Sequence, residues 1–415
     1  MDKTVFDVAV IGAGPAGLMA ALSAARLGAS VAVYEKNNRS GRKLRITGKG
    51  RCNVTNNCTV QEFLEAVPEN SKFLYSAANK FAPADTIEFF EEQGVPLKTE
   101  RGRRVFPVSD SAHDIANALE RAAVSAGVKI FYNSTVTDLL YIEDESGKTV
   151  NGLRIGGTEV YASYVIVATG GASYPGTGST GDGYRFARKL GVKVVEPVPS
   201  LIPVITKEPT AHMSGLSLKN VTLTVKNSKG KAVFSELGEM LFTHFGLSGP
   251  LVLSASAHMR DDVASYTMHI DMKPALDEKT LDARLVNDLT KYSAKDFGNS
   301  LGELLPRVMI PEVIERVGVD PHRKSCTVTK EERGRLCAVL KDMVFTPTGF
   351  RPIDEAIITR GGIDTKEIKP GTMASKTVAG LYFAGEIIDV DAYTGGYNLQ
   401  IAFATGKLAG EAAVN

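Results

Sequence analysis

The apolar positions of this chain fall into short, fully apolar runs near its two ends. Between them lie alternating and helix-period patterns. Residues 6–11 read as a buried parallel strand, 15–27 as an alanine-rich helix with Gly28 as its C-cap, and 30–35 as a second strand. The stretch 8–25 is the most apolar, but Pro15 and three glycines divide it into strand and helix, which argues against a membrane span. Helical patterns follow at 63–66, 71–93 and 112–126, and strands at 129–132 and 134–141. Residues 150–155 and 159–164 pair as a hairpin around Gly156-Gly157, and 165–168 is a separate buried strand ending in Thr169-Gly170-Gly171. From about Pro197 the pattern changes to prolines and short β-like runs such as 221–225 and 266–272, as expected for a small barrel or sandwich. Residues 277–341 are charged and helical, with breaks expected at Gly298, Pro306, Pro311 and Gly318. Strand-like patterns return over 345–359, then a buried strand at 382–384 and a final helix at 400–413.

This order predicts an α/β protein built on a discontinuous Rossmann-like domain, 1–196 plus 345–415. Inserted in it are a β-barrel-like domain at 197–274 and a helical domain at 275–344. The 415 residues suffice for two or three such cores, and the formal net charge of +1 gives no global pull toward nucleic acid or membrane. Cys52, Cys58, Cys326 and Cys337 show no metal-ligand spacing, so no metal is expected and the cysteines read as reduced thiols. The first strand begins by about Val5, which leaves no room for a signal peptide and points to a cytoplasmic protein.

Two glycine-rich segments at opposite ends carry the chemistry. In Gly12-Ala13-Gly14-Pro15-Ala16-Gly17, Gly12 permits a tight turn, Gly14 lets backbone approach a pyrophosphate and Gly17 allows close helix–strand packing. The helix that begins near Pro15 aims its N-terminal N–H groups at those phosphates. Glu35, at the end of the second strand and followed by Lys36, is placed to accept hydrogen bonds from a ribose hydroxyl. Strand, glycines, helix, strand and acid stand in register, so the segment reads as a dinucleotide site. The second segment runs through Gly385-Glu386, Asp391 and Gly395-Gly396 into the C-terminal helix. Its glycines bring backbone close to a bulky ligand, Glu386 or Asp391 suits a ribityl or pyrophosphate region, and Asn398 and Gln400 suit the pyrimidine ring of a flavin. A helix N-terminus there would stabilise the negative charge of a reduced flavin. The pair of segments narrows the dinucleotide to FAD.

These segments resemble a known family when joined to Gly41-Arg42-Lys43-Leu44, Gly50-Arg51-Cys52-Asn53-Val54-Thr55-Asn56, Ala168 to Pro175, Gly178 to Gly183 and Phe242-Thr243-His244-Phe245-Gly246-Leu247-Ser248-Gly249-Pro250. Over essentially the whole chain the sequence is similar to the HI0933-like bacterial flavoproteins, which include the BaiN-type reductases. One departure is Lys49, where a small residue is common. The resemblance implies a two-dinucleotide-binding FAD domain carrying a β insert and a helical insert. It also implies FAD contacts at Ala168, Thr169 and Gly170 and at the backbone of Val136. For function it implies flavin redox chemistry of one of three kinds: NAD(P)H-dependent reduction of an activated C=C bond in a small or steroid-like substrate, dihydrouridine synthesis in 23S rRNA, or oxidation of an amine such as aminoacetone. A fourth reading, of a different class, is a non-catalytic flavin-bearing protein that binds RNA or the ribosome.

The protein's own chemical task beside a flavin is to bind, orient and protonate. His244 is the candidate proton donor, since its pKa class suits transfer near neutrality. Tyr174 is either a donor or an aromatic cover over the cofactor. Cys52 lies beside Arg51 and near Lys49, cations expected to lower a thiol pKa. Its separation from Cys58 by five residues does not match a disulfide-reductase pair, so a small packed residue beside FAD is the simpler reading. Six basic residues, Arg39, Arg42, Lys43, Arg45, Lys49 and Arg51, exceed the two charges of a pyrophosphate. With Arg101, Arg103 and Arg104 they offer either a solvated surface or contacts to a nicotinamide phosphate or an RNA backbone. Only one complete fingerprint is present, so NAD(P)H would visit transiently.

Overall fold

The computed structural model describes residues 5–145, 147–260 and 262–415. They form two compact units, Met1–Ser200 with Pro352–Asn415, and Leu201–Arg351.

The first unit is organised by a parallel row of strands. Val5–Ile11 pairs with Val31–Tyr34 on one side and with Thr158–Val167 on the other. Lys129–Phe131 extends the row beyond Val31–Tyr34, and Leu381–Phe383 adds to the far edge of Thr158–Val167. Val8, Ala9 and Val10 are fully buried on both faces, which is why this run is continuously apolar rather than alternating. Residues 159–164 and 165–168, expected as separate strands, belong to the single strand Thr158–Val167. Its first part pairs antiparallel with Gly147–Ile155 and its last part parallel with Leu381–Phe383. The change of partner is what alters its pattern midway.

The helix Pro15–Arg26 packs along the C-terminal helix Tyr397–Ala412. The contact is backbone to backbone: a Cβ on Gly406 would lie 2.4 Å from the Ala16 carbonyl oxygen, and one on Gly410 would lie 2.1 Å from that of Ala20. The matching order of contacts makes the two helices parallel, so their N-termini face the same way. The stretch 71–93 is not one helix. A short turn, Ser71–Leu74, leads into Tyr75–Lys80, and Pro83 then opens a second helix, Pro83–Glu92, with the Asp85 carboxylate accepting the Ala82 N–H at 2.7 Å.

The second unit contains a seven-stranded antiparallel sheet whose edges are Met343–Phe345 and Pro347–Phe350. Only Thr346 separates those edges in sequence, which brings the ends of the sheet together as in a small barrel, and the Lys207 N–H donates to the Thr346 carbonyl at 2.8 Å, continuing the pairing of Val204–Thr206 with Pro347–Phe350. One apolar cluster runs from the barrel strands, through Leu223 and Phe242, into the helices, through Leu281, Val313 and Leu340. The strand-rich and helix-rich halves of the insertion therefore share a core. Pro311, read as a break, sits in the first turn of Ile310–Val317, where proline initiates a helix. Val194–Ser200 belongs to the first unit, paired with Ile358–Ile363, and Phe345 belongs to the second. Among the described residues no helix is long and apolar enough to cross a membrane.

Candidate functional site

A cleft of about 200 Å³ crosses the carboxyl ends of the parallel row in the first unit. Its middle is the turn after Val5–Ile11. A Cβ on Gly12, whose φ is +101°, would lie 2.6 Å from the Ala168 carbonyl oxygen, and one on Gly17 would lie 1.9 Å from that of Gly12. Packing within the protein thus requires both glycines. A Cβ on Gly14 would meet nothing within 4 Å. Gly14 lines the cleft with Pro15 and Ala16, and no side chain caps the helix they open. Free N–H groups at a helix N-terminus, with open space above a glycine, form an anion-binding cradle. Ala13 is buried just beneath.

At one end of the cleft stands Glu35, 7% exposed. Its Oε2 accepts the Ala13 N–H at 2.8 Å, and its Oε1 accepts the backbone and side-chain N–H groups of Asn37 at 2.8 and 2.6 Å. The acid therefore holds the glycine turn in shape and leaves one lone-pair site. Val136 lines the same end. Lys36 and Arg42 also line the cleft: Lys36 donates to Asp182 at 2.7 Å and Thr180 at 2.6 Å, and Arg42 to the Asn37 amide oxygen at 2.7 Å.

Toward the other end lie Ala168, Thr169 and Gly170, then Glu386. The Thr169 hydroxyl is buried without a hydrogen-bond partner among the described residues. Lys43 Nζ donates to both Glu386 oxygens, at 2.8 and 2.7 Å, and to Ser173 Oγ at 2.7 Å. Glu386 Oε1 also accepts Ser173 Oγ–H and the Thr359 N–H, each at 2.9 Å, while Thr359 Oγ1 accepts the N–H groups of Ala172 and Ser173. Four segments distant in sequence are joined at this hub. Asn53 Oδ1 and Asn56 Oδ1 are further buried acceptors without partners, and Asn56 Nδ2 donates to the Gly395 carbonyl at 3.2 Å. The open space at Gly14 and the orphaned Thr169 hydroxyl, both in the cleft lining, fit a long polar ligand with phosphates at its centre, as FAD is, whereas Asn53 and Asn56 do not line the cleft.

Several sequence expectations are corrected. Gln400 is fully buried and its amide is committed inside the protein: Oε1 accepts the hydroxyls of Thr55 and Thr86 at 2.8 and 2.7 Å, and Nε2 donates to the Phe81 carbonyl at 2.8 Å. It braces the C-terminal helix and is not free for a pyrimidine ring. Asn398 lines the cleft, but its amide folds back on the Ala392 N–H and carbonyl. Asp391 is buried outside the cleft lining and accepts Ser200 Oγ–H at 2.6 Å. Gly385, with φ +79°, packs on the Ala16 methyl, and Gly396, with φ +96°, packs on the Thr55 backbone.

Cys52 is fully buried, and desolvation pushes its thiol up to about 12, the reverse of the lowering expected from its cationic neighbours. The reason is that Arg51 turns away: it pairs with Glu100 and Asp110 and lies 4.2 Å over the Phe106 ring. Neither Gly50 nor Arg51 lines the cleft. The basic surplus is largely consumed in the same manner. Arg45 is buried against His113, Asn117 and Glu120, and Arg103 pairs with Glu62. Of the six cations, only Arg39 and Lys49 have no hydrogen bond or ion pair among the described residues.

Tyr174 is half-buried with φ +51°, its ring centroid 6.0 Å from Lys43 Nζ. His244 belongs to the second unit, exposed at the tight turn between Ala232–Thr243 and Gly246–Ser248, with its ring edge-on to Phe245. Asn37, Ser173 and Thr359 went unnoticed in the sequence. Asn37 lies two residues after Glu35 and Ser173 within a glycine-rich turn, which are usable signals; nothing local marks Thr359.

A parallel row with a glycine turn, an acid after the second strand and two parallel helices opening on one cleft defines the class of FAD-dependent oxidoreductases. The model of the HI0933-like protein Rossmann domain matches residues 6–412, and the chain belongs to that family. It is 33% identical over 405 residues, 95% of each chain, to a ribosomal RNA dihydrouridine synthase of Haemophilus influenzae. It is 30% identical over 413 residues, 98% of each chain, to a 3-dehydro-bile acid delta(4,6)-reductase of Clostridium scindens. Among solved structures, the 3-ketosteroid delta1-dehydrogenase of Sterolibacterium denitrificans shares the fold at a TM-score of 0.55 and 15% identity, covering 99% of this chain and all of that one.

Proposed function

We propose that this protein is an FAD-dependent reductase that saturates a carbon–carbon double bond conjugated to a carbonyl, with NAD(P)H as transient reductant. The observation that carries this reading is full-length similarity to two proteins whose names denote one kind of reaction on different substrates. A delta(4,6)-reductase adds hydrogen across C=C bonds of an oxo-steroid. A dihydrouridine synthase adds it across the ring C=C bond of uracil, which is conjugated to a carbonyl.

FAD supplies the hydride chemistry when bound. The helix N-termini at Pro15 and Tyr397 and the hub at Glu386 hold and orient it. The remaining requirement is a proton for the carbon next to the carbonyl. His244 and Tyr174 are the two candidate donors of this proton, each a titratable group in a glycine-containing turn. The Cys52 thiol, with a pKa pushed up to about 12, is a poor redox or acid–base group.

The substrate is a small enone in the leading reading. Uridine within ribosomal RNA is the second, favoured by the 33% identity of the dihydrouridine synthase. Loading the protein with FAD, reducing it anaerobically with NADH or NADPH, and following flavin reoxidation with steroid enones, with rRNA transcripts and with oxygen separates the readings. Reoxidation by an enone supports the first and reoxidation by rRNA with dihydrouridine formed supports the second. Failure of both nicotinamides to reduce the flavin, with peroxide released from aminoacetone, refutes both.

A further inference from the structure

The parallel row gives the cleft a direction. Across it the strands follow the order Leu381–Phe383, Thr158–Val167, Val5–Ile11 and Val31–Tyr34. Glu386 follows the first of these, Gly12 the third and Glu35 the last. At about 4.8 Å per strand, Glu386 stands roughly 14 Å along the row from Glu35, with the phosphate cradle between them. A dinucleotide whose ribose meets Glu35 and whose pyrophosphate meets Gly14 directs its other half toward Glu386. In FAD that half carries the redox ring.

An ion pair waits there. Lys43 and Glu386 are only 20% and 16% exposed, so their charges act through a medium of low effective dielectric. FAD reduction at neutral pH takes up two electrons and one proton and leaves one negative charge on the ring. A nearby ammonium favours the reduced form and a nearby carboxylate opposes it.

We propose that Lys43 and Glu386 are a matched pair of positioning charges that sets the FAD reduction potential, with Lys43 raising it and Glu386 lowering it. The inference rests on the FAD reading above. Each partner keeps other contacts when its mate is removed. Glu386 retains Ser173 Oγ and the Thr359 N–H, and Lys43 retains Ser173 Oγ. Single variants therefore leave neither group isolated.

The test is an anaerobic spectroelectrochemical titration of the FAD-loaded full chain as wild type, Lys43→Met, Glu386→Gln and the double variant. Lys43→Met lowers the midpoint potential and Glu386→Gln raises it. Each changes the affinity ratio of reduced to oxidised FAD roughly tenfold, about 30 mV for a two-electron couple. The double variant returns close to wild type. Shifts of the same sign in both single variants, or no shift in either, overturn the proposal, because loss of packing alone gives no opposed signs. A wild-type protein that takes up no FAD overturns the cofactor reading first and this proposal with it.

Discussion

Gly14 and Gly17 stand in one motif, yet opposite physical reasons require them, and a pair of alanine substitutions separates the two. A Cβ on Gly17 would lie 1.9 Å from the Gly12 carbonyl oxygen and 3.3 Å from Val10 Cγ1. Relief requires strand and helix to part by more than 1 Å, backbone against backbone. Overpacking costs about 1–3 kcal/mol, and a rigid obstacle puts Gly17→Ala at about 3 kcal/mol. Reduced freedom of the unfolded chain returns about 0.4–1 kcal/mol, for a net loss near 2 kcal/mol. Gly14 has an ordinary φ of −83° and open space at its Cβ position. Alanine is a poorer N-cap than glycine by several tenths of a kcal/mol, roughly the unfolded-state gain, so the two offset. In a unit of this size about 2–4 °C of Tm corresponds to 1 kcal/mol. In FAD-free protein, Gly17→Ala then melts about 4–8 °C lower and Gly14→Ala within about 2 °C of wild type. With excess FAD the order reverses in meaning: wild type gains Tm, and Gly14→Ala gains little because its methyl occupies the phosphate cradle. Thermal melts with and without FAD, joined to an FAD titration, measure all of this. A Gly14→Ala protein that melts as low as Gly17→Ala without FAD, or binds FAD with wild-type affinity, refutes the reasoning.

Other expectations follow from single contacts. Gln400→Leu strands the hydroxyls of Thr55 and Thr86 and the Phe81 carbonyl, and destabilises the protein by about 2–4 kcal/mol in denaturant melts while the bound flavin spectrum stays as in wild type. At pH 7.5 a chromogenic disulfide labels the exposed Cys326 rapidly and leaves Cys52, with its thiol pKa near 12, unlabelled until the protein unfolds. Burial, then the neighbouring Asp391, raises the Asp389 carboxyl above its ordinary range. A raised carboxyl stabilises the fold when protonated and destabilises it as pH climbs through the folded pKa, so Asp389→Asn raises Tm at pH 7.5 and loses that advantage near pH 4. An equal effect at both pH values would show that the charge is not responsible.

The parts of this protein legible in its sequence are those whose cause is local. The turn at Gly12, the cradle at Gly14 and the acid at Glu35 each answer to backbone geometry within a few residues, so their pattern carries their role. Arg51 failed as a phosphate ligand because its partners, Glu100 and Asp110, lie some fifty residues away, and no local signal distinguishes a paired cation from a free one. Gln400 failed for a related reason: at a helix start, composition does not reveal which face meets Thr55 and Thr86 and which meets a ligand. The contact of Lys43 with Glu386, across 343 positions, and their shared partners Ser173 and Thr359 exist only because four strand ends and loops converge on one edge of the sheet.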